Sequence, residues 1–108
     1  MSIPVLYIPY RKFVAVATPH ARKQVLSRAG DSFTKFLKDC EIDLEALFEK
    51  ANAGTCYAVT VGSGKRTFFL YIKRRFNAKR RRHELECITL TPSRHVTTAK
   101  HKFAKLLQ

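Results

Sequence analysis

Cys56-Tyr57-Ala58-Val59-Thr60-Val61, then Gly62-Ser63-Gly64-Lys65, then Arg66 through Phe76 is the stretch on which the fold turns. The first and last parts carry aromatic and β-branched residues at a period of two, and a glycine-containing tetrapeptide divides them. That is the pattern of two strands joined by a tight turn. Asn77 to Arg82 forms a second, basic turn, and His83 to Thr91 reads as a third strand that Pro92 ends. In that strand Leu85, Cys87 and Thr89 alternate with Glu84, Glu86 and Ile88, a less cleanly apolar face. The segment Val61-Gly62-Ser63-Gly64-Lys65-Arg66-Thr67 has the look of a phosphate loop but fails as one. Val59 stands where the first glycine belongs, and Arg66 stands where Ser or Thr must hold magnesium. A hairpin turn is the better reading.

Upstream of Gly54 the apolar period is 3.6. Thr18-Pro19 is a helix start, with Thr as N-cap and Pro at the first helical position, and Ala29-Gly30 is its end. Asp31 or Ser32 caps a second helix in which Phe33, Phe36, Leu37 and Cys40 fall on one face. Asp43 caps a third, with Leu44, Leu47, Phe48 and Ala51 at the same spacing. Its acidic opening suits the positive end of the helix dipole. Before these, residues 3–8 and 12–17 are short apolar runs that read as strands, and Pro4 and Pro9 confine the first to a sheet edge. Residues 93–108 are weakly patterned; Phe103, Leu106 and Leu107 fit one amphipathic helix.

The expected fold is therefore α+β, one domain over residues 1–108. N-terminal helices pack on one face of an antiparallel meander, with extra N-terminal strands and a C-terminal helix as additions. No apolar run approaches the roughly 18–20 residues that span a membrane, which points to a cytoplasmic chain with no membrane partner. The three cysteines Cys40, Cys56 and Cys87 are widely spaced among apolar neighbours. They read as buried thiols in a reducing compartment, not as a disulfide framework.

Charge is the strongest functional signal. The chain has 21 Lys+Arg against 8 Asp+Glu, a formal charge of +13. Residues 1–49 contribute +1 of it and residues 50–108 contribute +12. A field of that sign draws in polyanions, nucleic acid above all. Lys73-Arg74-Arg75 and Lys79-Arg80-Arg81-Arg82 crowd seven cations around Phe76-Asn77-Ala78, where phosphates would relieve their repulsion. Arg66 joins them as a phosphate contact. Of the interleaved aromatics Tyr57, Phe68, Phe69, Tyr71 and Phe76, most should be core, with Tyr71 as the exposed ring fit for stacking bases.

The four histidines, His20, His83, His95 and His101, lack zinc-ligand spacing, so no metal and no cofactor are expected. Singly, each reads as a surface histidine. Together with Arg, Lys, Glu and Tyr they include the groups that metal-free RNA cleavage needs, a base, an acid and cations at the phosphate.

The segment Thr18-Pro19-His20-Ala21-Arg22-Lys23-Gln24-Val25-Leu26-Ser27-Arg28 resembles the opening helix of small bacterial RelE- and BrnT-like ribonuclease toxins. Many of those begin with His-Ala, carry Arg eight residues after the His, and continue through helices into an antiparallel sheet. The wider group is the metal-independent ribonuclease fold that includes barnase and colicin domains. The resemblance rests on His20, Ala21, Arg22 and Arg28 and implies that His20 and Arg28 belong to an active site. Chemistry then adds His83 or His95 as the partner of His20, with Arg28, Arg66 and Arg82 at the phosphate.

Three functions follow. The first is an RNA-binding, toxin-like endoribonuclease acting through the 2′-hydroxyl, with the ribosome and an acidic antitoxin or inhibitor as partners. The alternative is a non-enzymatic nucleic-acid- or ribosome-binding protein of phage or mobile-element type. RNA is favoured over DNA in both. A binder of acidic proteins is a third.

Overall fold

The computed structural model describes residues 3–63, 66–92 and 105–107. In chain order its elements are β1 (Leu6–Pro9), β2 (Val14–Ala17), α1 (Pro19–Ala29), α2 (Phe33–Asp39), α3 (Leu44–Lys50), β3 (Cys56–Ser63), β4 (Arg66–Asn77), β5 (Arg82–Pro92) and β6 (Lys105–Leu107). The fold is α+β, with three helices against one sheet of order β1-β2-β5-β4-β3-β6.

The sheet is mixed, which corrects the expected antiparallel meander. β3, β4 and β5 do form that meander, but β2 pairs parallel with β5 and β6 pairs parallel with β3. Parallel neighbours require a long crossover between strands of like direction. Helices α1 to α3 supply one, carrying the chain from β2 across to β3 on the far side of β5 and β4. β1 lies at the edge, where Pro9 breaks no ladder that a neighbour needs. Leu106 and Leu107 lie in strand β6, not in the expected terminal helix; Phe103 falls outside the described residues.

The helix boundaries follow the capping residues. The Thr18, Ser32 and Asp43 side chains accept hydrogen bonds from the amides of Ala21, Lys35 and Ala46. Gly30 closes α1 in the left-handed conformation, at φ 73°. The apolar stripes of α2 and α3 then meet alternate residues of the strands in one core. It contains Phe33, Phe36, Leu44 and Phe48 from the helices and Val59, Leu70, Ile72, Leu85 and Leu90 from the sheet.

A bulge explains the ragged alternation in β5. Tyr71 pairs with Thr89 but Ile72 with Cys87, so Ile88 is the extra residue. Past it Leu90, not Thr89, faces the core. The bulged Ile88 carbonyl accepts the Thr18 hydroxyl at 3.0 Å, which ties the start of α1 to β5. Cys87 beside the bulge is fully buried, and burial pushes its thiol up to about 12. No helix among the described residues is long and apolar enough to cross a membrane.

Candidate nucleic-acid interface

The β4–β5 hairpin carries most of the cations singled out in the sequence, and the structure divides them by what they touch. Asn77 pairs with Arg82 at the end of the ladder, leaving residues 78–81 as the turn. The Asn77 side-chain oxygen accepts the amide of Arg80 at 3.1 Å, and Arg81 adopts φ 51° to turn the chain into β5. Short polar side chains favour such turns by bonding the backbone just ahead of them. Lys79, Arg80 and Arg81 are consequently held out in solvent. Among the described residues none of the three forms an ion pair.

At the root of the turn, on the sheet face away from the helices, Arg75 and Arg82 converge on Glu84. Arg82 Nε donates to Glu84 Oε2 at 2.9 Å, Arg75 Nη2 to Oε1 at 3.0 Å, and Asn77 Nδ2 to Oε2 at 3.3 Å. Glu84 is 1% exposed and is the buried charged residue of the described chain. Burial by itself would raise its pKa. The hydrogen bonds from Arg82 and Asn77 and the charges of Arg75 and Arg82 outweigh that and hold the carboxyl below its ordinary value. Arg75 also reaches Glu86 at 3.6 Å, opposite Lys73 in the next pair of the ladder. This patch is nearly neutral, unlike the turn above it.

Arg28, Arg66 and Arg74 hold the fold together. Arg74 Nη1 donates to the Phe48 and Ala51 carbonyls at the end of α3, and its guanidinium lies 4.0 Å from the Phe48 ring centre. Arg66 Nη1 donates to the Arg28 carbonyl at the end of α1, and Arg28 Nη1 to the Leu90 carbonyl. Arg74 and Arg66 thus satisfy helix carbonyls that have no partner inside the helix, while Arg28 ties α1 to β5. Arg28 and Arg66 do meet, but at the end of the sheet opposite the basic turn.

The histidines lie apart. His20 is exposed in the first turn of α1, two residues beyond Thr18, which is bound at Ile88. His83 is exposed at the root of the hairpin, edge-on to Phe76 and Phe48. Five residues of β5 separate the two levels, roughly 16 Å at ~3.3 Å per residue. His95 is outside the described residues. Tyr71, expected to be exposed, is 3% exposed. It sits in β4, flanked by β3 and β5, on the face where Val16, Ala58 and Glu84 are also buried.

Sequence reasoning passed over Glu84 and Tyr7. The signal for Glu84 was its place opposite Leu85 in the alternation, which put it on the same face as Arg75. Tyr7 alternates with Leu6 and Ile8, both packed against the core, so the pattern already turned it outward. Comparison with family models, curated proteins and solved structures yields no match for this chain.

Proposed function

We propose that this chain is a non-enzymatic nucleic-acid-binding domain that grips phosphates with the β4–β5 turn. One observation carries the reading. Lys79, Arg80 and Arg81 project together into solvent, while Arg28, Arg66, Arg74, Arg75 and Arg82 are bound to carbonyls or carboxylates of the fold. Three adjacent like charges without counter-ions repel one another, and a phosphate backbone supplies the missing charge. Arg81 also occupies a left-handed conformation in which glycine would be less strained. A cation retained at some cost to stability fits a binding role.

The chemistry of strand cleavage, by contrast, needs an acid and a base within reach of one phosphate. The separation of His20 from His83 along β5 takes that pair out of reach of one phosphate. Binding through the turn predicts affinity that falls steeply with salt. Changing Lys79, Arg80 and Arg81 to Ala should flatten the slope of log K against log salt by about 2, from ~0.7–0.9 per phosphate contact. An unchanged slope in the triple variant would remove the turn from the interface.

A further inference from the structure

Two aromatic side chains stand out as exposed among the described residues, Tyr7 at 50% and Phe76 at 55%. Phe13, Phe33, Phe36, Phe48, Tyr57, Phe68 and Tyr71 are all buried. Phe76 adjoins the basic turn, and Tyr7 meets its root through Arg82, one ring on each side of the sheet. Phe76 immediately precedes Asn77 on the face that bears the helices, with the His83 ring edge-on at 5.0 Å. Tyr7 lies on the opposite face, where the Arg82 guanidinium sits 5.5 Å from its ring centre. Glu84 fixes Arg82, and Arg82 in turn steadies the ring of Tyr7 from one side. Phosphate binding alone has no use for either ring.

From this placement we infer that the hairpin selects single-stranded nucleic acid over duplex. This rests on the binding reading above. Lys79, Arg80 and Arg81 take the phosphates, and unpaired bases stack on Phe76 and Tyr7 to either side. Rings paired with a cationic track are the arrangement that holds single strands with little regard to sequence, since every base has a π-face. In a duplex those faces are already stacked on one another, so a duplex gains the phosphate contacts only. Neither ring belongs to the core, so replacing either leaves the fold intact.

The test is fluorescence anisotropy with the full chain and three labelled probes of equal phosphate number: oligouridine, an RNA duplex and an abasic strand. Oligouridine should bind more tightly than the duplex. Phe76→Leu and Tyr7→Leu keep apolar bulk but remove the π-face, and each should weaken oligouridine binding roughly tenfold while duplex binding stays as it was. The abasic strand, which needs no variant, should bind wild type as weakly as the duplex does. Equal wild-type affinity for oligouridine and duplex would overturn the inference and leave phosphate binding standing. So would ring substitutions that weaken both probes alike. Failure of the wild type to bind any of the three would overturn the binding reading and this inference with it.

Discussion

Replacing Glu84 by Gln tests how the root of the hairpin is held. The carboxylate is buried and receives hydrogen bonds from Arg75, Arg82 and Asn77. Removing one partner of a buried ion pair costs about 3–5 kcal/mol when the other is left without solvent. Here the Arg75 side chain is 47% exposed and that of Arg82 28%, so water takes over part of the lost bonding. Glutamine also keeps one acceptor oxygen. The expected loss at neutral pH is therefore about 2 kcal/mol, a fall in Tm of roughly 8 °C for a domain of this length.

The pH dependence gives the experiment its own control. The folded carboxyl titrates below its unfolded value, so its contribution is complete above the ordinary carboxylate range, about pH 4–4.5. It is lost as pH falls through the lower, folded value. Thermal melts of wild type and Glu84→Gln should differ by a constant amount from pH 5 to pH 8, taken as roughly the plateau of that linkage. The gap should close at acid pH, where wild-type Glu84 is itself neutral. A gap that is absent at neutral pH, or that is the same at every pH, would refute the reasoning.

Two further outcomes concern the turn and the core. Arg81→Gly relieves a left-handed residue and should raise stability by up to about 1 kcal/mol in chemical denaturation, yet weaken nucleic-acid binding by removing a cation; tighter binding by the glycine variant would contradict the assignment of Arg81 to the interface. Cys87, with its thiol raised to about 12 and no exposed surface, should resist thiol reagents at pH 8 in the native protein, pH 8 being roughly where an unperturbed thiol begins to ionise. All three thiols should react after denaturation, and rapid native labelling of Cys87 by mass spectrometry would show that the bulged strand opens.

Local chemistry made much of this fold legible. Thr18-Pro19, Ser32, Asp43 and Gly30 are signals read within one turn of helix, and the helices begin and end on them. The hairpins β3–β4 and β4–β5 were equally plain, because their strands adjoin in sequence. What escaped depends on residues far apart in the chain. The parallel pairing of β2 with β5 joins residues about seventy positions apart, and nothing in Val14 to Ala17 names its neighbour. The bulge at Ile88 moved the core position from Thr89 to Leu90, a shift that a strict period of two conceals. The basic residues show the same limit. Arg66 and Arg74 look like Arg80 and Arg81 in a charge count, but the carbonyls of α1 and α3 that occupy them come from other parts of the chain. Tyr71 likewise looked like Phe76, and only the sheet order buries one and exposes the other.

The most direct measurement is a map of backbone amide shifts as a single-stranded RNA oligonucleotide is titrated into isotopically labelled protein. The account predicts that the largest changes fall on Phe76 to His83, with Tyr7 as the distant companion, and that they fade as salt is raised. Changes centred on His20 and Arg28 at α1, with the β4–β5 turn unmoved, would contradict it.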